Sequence, residues 1–142
     1  MIEISAGGVV YRQEKDQLYF LLIEDRYGKM TLAKGKLEPG ETLEEAAIRE
    51  ILEETSVHGK LISPIETVYY MYNHPVTGEK VNKEVHYYLI EAMTEGLTAQ
   101  IEEIRAVHWF KPLEAWKLQL KKGYKNNESV LKKALTHFKI EV

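Results

Sequence analysis

The sequence predicts an α+β fold built on a mixed β-sheet. Three observations point there: two strand-like runs open the chain, one acidic helix separates them from a second pair of strand-like runs, and two lysine-rich helical segments close it. Strands, helix, strands, helices is not the alternation of a regular strand–helix–strand repeat, so a sandwich with helices packed on a mixed sheet is expected. A chain of 142 residues is expected to form a single domain over residues 1–142 and can bury roughly two-thirds of its unfolded surface.

The elements follow in order. "EISAGGVVYR" and "QLYFLLIE" read as strands joined by a polar turn at Gln13 to Asp16. "ETLEEAAIREILEET" reads as a helix, with Thr42 and Glu45 spaced as a capping box at its start. "IETVYYMYN" and "EVHYYLIEA", rich in aromatic and β-branched residues, flank a turn carrying Pro75 and Gly78. "IRAVHWF" is a further strand. Pro112 then opens a helix expected to stop near Gly123, and a last helix begins near Asn127 with Val130, Leu131, Ala134, Leu135 and Phe138 on one face.

Composition narrows the chemistry. The chain has no cysteine, which excludes disulfides, a thiolate nucleophile and cysteine-ligated zinc and suits a reducing, cytoplasmic setting. The opening residues lack a basic region followed by an apolar run, so no signal peptide is expected. The run "LYFLLI" is far too short to span a bilayer, and no membrane partner is expected. Net charge is −3 but uneven: residues 1–110 carry 11 basic and 19 acidic side chains, whereas residues 111–139 carry 8 lysines against 2 glutamates. That basic end reads first as a solvated helix face; the sharper reading is a rim that attracts a polyanion.

The central helix poses a problem of like charge. On a helical wheel with Glu50 at the origin, Glu54 and Glu53 fall within an arc of about 100°. Ile48, Ile51 and Leu52 lie on another side, and Arg49 points away from the three acids. Like charges one turn apart cost about 0.2–0.5 kcal/mol per pair, and no lysine of the helix offsets them. Glu53 and Glu54 also sit at the helix C-terminus, where the macrodipole disfavours anions. A bound cation would remove both penalties, and an all-oxygen ligand set suits a hard ion such as Mg²⁺ or Mn²⁺.

The spacing is more specific still. From Gly35 the stretch resembles the Nudix box, G-x5-E-x7-R-E-U-x-E-E-x-G-U with U a bulky aliphatic residue. Gly35, Glu41, Arg49, Glu50, Ile51, Glu53, Glu54 and Val57 match, and Ser56 stands where the motif has glycine. The resemblance extends over about residues 4–115, through "SAGGVVYR" to "IEEIRAVHWF". It implies an α/β/α sandwich around a central mixed sheet, and a hydrolase that cleaves a pyrophosphate bond in a nucleoside diphosphate linked to another group.

The resemblance also implies roles. Glu50, Glu53 and Glu54, with the Gly35 carbonyl, would be ligands of Mg²⁺, or of Mn²⁺ in its place. Arg49 would hold the box glutamates, with Glu41 as a candidate partner. An acid in the late loop, Glu103 or its neighbour Glu102, would supply a further ligand or the general base; Glu53 and Glu103 are the two candidates for that base. Lys34 and Lys36 would meet phosphate oxygens. Among Tyr70, Tyr72, Tyr87 and Tyr88, one or two would stack on a base, Tyr70 and Tyr87 being the choice, while His86 reads as structural. Ser56 would strain the helix end or shift it toward Gly59. Ala33 and Met30 replace the proline and tryptophan common in the family. The segments "KEVHYYLIEA" and "AKGKLEPGE" look most like the branch acting on diadenosine tetraphosphate and related dinucleoside polyphosphates. Hydrolysis of oxidised nucleoside triphosphates, removal of a pyrophosphate from RNA 5′ ends, and nucleotide binding without catalysis are the alternatives. A small nucleotide is thus the expected partner; nucleic acid is not favoured, and the oligomeric state is left open.

Overall fold

The computed structural model describes residues 1–99 and 104–142. Glu102 and Glu103 lie outside the described residues. The strands are β1 (Ile2–Glu14), β2 (Gln17–Asp25), β3 (Met30–Thr31), β4 (Ala33–Lys36), β5 (Gly59–Asn73), β6 (Lys80–Ala92) and β7 (Ile104–Phe110). The helices are α1 (Leu43–Thr55), α2 (Pro112–Lys122) and α3 (Glu128–His137), with a 3₁₀ turn at Lys125–Asn127 between the last two.

These strands form one sheet in the order β3-β2-β1-β6-β5, with β4 paired to β1 and β7 paired to β2. The β1–β6 pair is parallel and the other pairs are antiparallel, so the sheet is mixed as expected. Its two faces bury different clusters. Ala46, Ala47 and Ile51 of α1 pack on one face with Val10, Leu21, Tyr88 and Ile90. Ala115 of α2 and Val130, Leu131, Ala134 and Leu135 of α3 pack on the other with Phe20, Leu22, Tyr87 and Leu89. The expected apolar stripe of the last helix is therefore the one it buries.

Two features absent from the strand reading position the site. The first is β4, which lies antiparallel to β1 with Gly35 opposite Ala6 and Lys34 opposite Gly7. "AKGK" has no apolar alternation, so nothing in its composition announces a strand. The second is the close approach this pairing needs: a Cβ on Gly7 would overlap the Ala33 carbonyl oxygen, and one on Gly8 would overlap that of Tyr88. The glycine pair lets β1 carry a neighbour on each side.

Helix α1 begins as expected. Thr42 Oγ1 accepts the Glu45 amide at 3.1 Å, and Glu45 accepts the Thr42 amide at 2.9 Å. Of the two options for its end, a strained left-handed Ser56 or a shift toward Gly59, the structure takes the first. Ser56 itself takes the left-handed conformation, φ 69° and ψ 7°, and its amide donates to the Leu52 carbonyl at 2.9 Å. The wheel also needs correction. Of the three residues expected to form the apolar side, Ile51 alone is fully buried, while Ala46, Ala47 and Glu54 are buried with it. The small alanines let the sheet come close to α1, and Glu54 is carried inward with them.

Candidate active site

Strand β4 and helix α1 bring the box residues together. A Cβ on Gly35 would overlap the Glu50 carboxylate, so the glycine is what lets that carboxylate lie against the backbone of β4. Glu54, one turn on, is 5% exposed, and its Oε2 has no hydrogen-bond partner. Burial, then the charge of Glu50 and a shared hydrogen bond with it, push the Glu54 carboxyl up to about 9. Lys34, through its ammonium and its backbone, works in the opposite direction. Two acids held this close in a dry place must share a proton or a cation.

Arg49 corrects the wheel reading that pointed it away from the acids. Its long side chain folds back along α1. Nη1 donates to Glu50 Oε1 at 2.8 Å and to Glu53 Oε2 at 3.1 Å, while Nε and Nη2 donate to the two Glu41 oxygens at 2.6 and 2.9 Å. Nη2 also reaches the Lys36 carbonyl at 3.0 Å, tying the helix to the end of β4. The bidentate grip of Arg49, helped by the Glu38 amide, holds the Glu41 carboxyl down to about 2. The like-charge problem thus has a partial answer within the helix: Arg49 reaches two of the three clustered acids, Glu50 and Glu53, and leaves Glu54 to the buried pair.

The remaining candidates fall in different places. Glu53 has a side chain 51% exposed and turned to Arg49. Among the described residues no three carboxylate or imidazole side chains gather around one point; Glu50 and Glu54 form a pair, with Glu53 to one side. Lys34, Glu54, Tyr70 and Tyr87 line a cavity of about 420 Å³, whose far wall is formed by Tyr27, Tyr124, Asn126 and Asn127. Lys34 is pulled below the usual lysine range by burial first and by the nearby Lys83 second. Lys36 is mostly exposed and pairs with Glu3 at 3.3 Å. Tyr87 is 2% exposed and donates to Asn127 Oδ1 at 3.2 Å, and Asn127 donates to Thr31 at 3.0 Å. Tyr72 donates to Glu3 at 2.7 Å. Tyr88 belongs to the opposite face, packed with α1 and bonded to Glu44 at 3.0 Å. His86 is held between Thr67 and Glu84, in keeping with a structural role.

Sequence reasoning missed the far wall. Tyr124 and Asn127 come from the break between the last two helices, and only the three-dimensional closure of that turn over β2 and β3 brings them to the cavity. Lys83 was missed as well, although it alternates in step with Tyr87 along β6.

The residues present fit a hard divalent ion. A buried carboxylate oxygen without a partner, a second carboxylate against it, and a glycine that keeps the backbone within reach form an all-oxygen set.

The fold and this site define a Nudix protein. The family model of the NUDIX domain matches residues 1–134, and the chain belongs to that family. Among its relatives is a protein of Mycobacterium tuberculosis (strain CDC 1551 / Oshkosh), by name the mutator protein MutT4, 35% identical over 114 residues. The match covers 75% of this chain and 45% of the relative, so the chain spans about half the length of the protein it matches. Among solved structures, a binary complex of the C. elegans Ap4A hydrolase superposes with a TM-score of 0.76 at 26% identity, covering 96% of this chain and 97% of that one. The NUDIX domain of Shewanella oneidensis NrtR, complexed with ADP ribose, superposes at 0.75 with 18% identity, covering 97% and 89%; at that identity it speaks for the fold alone.

Proposed function

We propose that the chain hydrolyses a pyrophosphate bond in a nucleoside diphosphate linked to another moiety, with Mg²⁺ or Mn²⁺, and that its preferred substrate is a dinucleoside polyphosphate such as diadenosine tetraphosphate. The observation that carries the reading is the Glu50–Glu54 pair. One buried oxygen stands without a partner, beside Lys34, at the edge of a cavity with room for a nucleoside. The likeness to the C. elegans Ap4A hydrolase supports the substrate class.

Each residue then has a task. Glu50 and Glu54, with the Gly35 carbonyl and Glu53, would hold the ion, which when bound neutralises phosphate charge and makes coordinated water more acidic. Arg49 holds the carboxylates of Glu50 and Glu53 and is itself anchored by Glu41. Glu53, the more solvent-accessible acid, takes a proton from the attacking water as one candidate base, with Glu103 as the other. Lys34 meets a phosphate oxygen, and Tyr70 and Tyr87 form the wall against which the base lies.

A second reading is hydrolysis of nucleoside triphosphates to monophosphates; the specific observation beside it is the 35% identity to a mycobacterial relative named as a mutator protein. A panel of diadenosine tetraphosphate, ADP-ribose and nucleoside triphosphates, run with Mg²⁺ in ¹⁸O-labelled water, separates the two by product identity and by the phosphorus that gains the label. Cleavage of diadenosine tetraphosphate into two mononucleotide products is expected, their identity naming the scissile bond, with Glu53→Gln inactive. Turnover of triphosphates alone would favour the second reading; tight binding of every nucleotide without cleavage would leave a binding module.

A further inference from the structure

Strand β5 is an outer strand of the sheet, and among the described residues it pairs with β6 alone, so its other edge carries free backbone groups. Such an edge invites pairing with another chain unless proline, lysine, bulges or a covering element blunt it. The first half of β5 is blunted: Pro64 and two register shifts lie between Leu61 and Glu66. The second half is not. From Thr67 to Asn73 the strand reads "TVYYMYN", with no charge, no proline and no bulge. Tyr69 pairs with Glu84 and Met71 with Asn82, which alternate in step with Tyr88 and so share the face on which α1 packs. At this end of the sheet that face is open, and Tyr69 and Met71 are 70% and 62% exposed. Ile2 and Ile4, also exposed, continue the apolar surface across β6. A contiguous apolar surface along an unblunted edge marks a place of association.

We propose that a second copy of the chain docks here, β5 pairing antiparallel with the partner's β5 about a two-fold axis at Tyr70, so that two sheets become one. In such a pair, facing residues come from the same side of the sheet, which requires the axis to pass through a residue. An axis at Tyr70 sets Tyr69 against the partner's Met71, a ring against a thioether, and Val68 against the partner's Tyr72, each contact made twice. It also sets Glu66 against the partner's His74. The Nδ1 of His74 accepts the Val76 and Thr77 amides, which leaves Nε2 to donate toward an acid. From Glu66 to His74 no like charges face each other, so the edge is complementary to itself, and that self-complementarity names a second copy as the occupant. Beyond His74 the partner's hairpin turn passes Glu66, beside a groove of about 650 Å³ bounded by Trp116 and Lys132; Val76, 86% exposed, is the apolar tip of that turn. Because Tyr70 also lines the main cavity, the pairing brings the two cavities of the dimer next to each other.

Sedimentation equilibrium of the full chain tests the pairing without substrate and independently of the hydrolytic reading. At about 100 μM the wild type is expected at twice the 16.5 kDa of one chain. Tyr69→Lys/Met71→Lys sets lysine opposite lysine and is expected to sediment as a monomer with an unchanged circular-dichroism spectrum. Tyr69→Lys/Met71→Glu sets opposite charges across the axis and is expected to restore the dimer, which added salt then weakens. Ile2→Ser/Ile4→Ser, on the same face but away from the edge, is expected to leave the dimer intact. A monomeric wild type, a dimer that survives the paired lysines, a lysine–glutamate variant no more dimeric than the paired-lysine one, or a dimer lost with the isoleucines would overturn the proposal. Where the paired-lysine variant fails to fold, amide hydrogen exchange of the wild type decides. The amides from Thr67 to Asn73 are expected to gain protection as protein concentration rises through the dimer transition, and exchange there that is independent of concentration would overturn the pairing.

Discussion

Arg49 is the residue on which the acidic helix depends. Its guanidinium makes four contacts to Glu41, Glu50 and Glu53 between 2.6 and 3.1 Å. A lysine keeps the charge but cannot reproduce a planar fork with donors in two directions. Arg49→Lys is therefore expected to cost about 1–2 kcal/mol of stability, the loss of charge-assisted hydrogen bonds in a partly solvated place. Activity should fall by a larger factor, because Glu50 and Glu53 lose their common anchor. Urea unfolding and steady-state kinetics on one preparation check both. An unchanged midpoint with full activity would mean that the contacts are ornamental. The identity of these residues was legible in the sequence because the box spacing is strict. The direction of Arg49 was not, because a wheel places Cβ atoms and an arginine head reaches several ångströms beyond its own.

At the scale of elements, the strand β4 and the two ends of α1 decide the geometry. The N-terminal capping box, the strands β1, β2, β6 and β7 and the later part of β5 were legible, since each has a periodicity or a pair of side chains behind it; residues 59–64, which begin β5, were not read as strand. Strand β4 and the Tyr124–Asn127 wall were not, because pairing with β1 creates the first and closure of a turn creates the second. Ser56 lies between these cases: its place at the helix end was expected, its left-handed backbone was one of two options. A side chain in that conformation is strained where glycine is not. Ser56→Gly is expected to stabilise the fold by about 0.5–1 kcal/mol, seen as a higher denaturation midpoint with unaltered kcat. A lower midpoint would show that the serine side chain contributes more than its backbone costs. Gly35→Ala tests the other junction. Its Cβ would displace the Glu50 carboxylate, so hydrolysis should be lost while the folded state persists by circular dichroism.

The whole molecule carries an opposed pair of titrations. The Glu54 carboxyl is raised to about 9, above its unfolded value. Its contribution is therefore fully favourable below the unfolded carboxylate range and is lost as pH rises from about 4.5 toward 9. Glu41, lowered to about 2, stabilises the fold above the unfolded range and loses that effect as pH falls from about 4.5 toward 2. The metal-free protein is thus expected to melt highest near the boundary of the two windows and progressively lower toward alkaline pH. Glu54→Gln should flatten the alkaline decline, and Mg²⁺ should raise the melting temperature by an amount that grows with pH, because the ion replaces a proton. Melting curves across pH in EDTA and in Mg²⁺ show this directly; an alkaline decline identical in Glu54→Gln would assign it to other groups.

The central claim is that the Glu50–Glu54 pair exists to hold a divalent ion. Titration of Mn²⁺ into the protein, followed by the electron paramagnetic resonance signal of the free ion, measures it most directly. The wild type is expected to remove Mn²⁺ from solution in a saturable way, and Glu54→Gln, with its fold intact, to leave the free-ion signal almost at the level of buffer. Equal retention of Mn²⁺ by wild type and Glu54→Gln would contradict the claim.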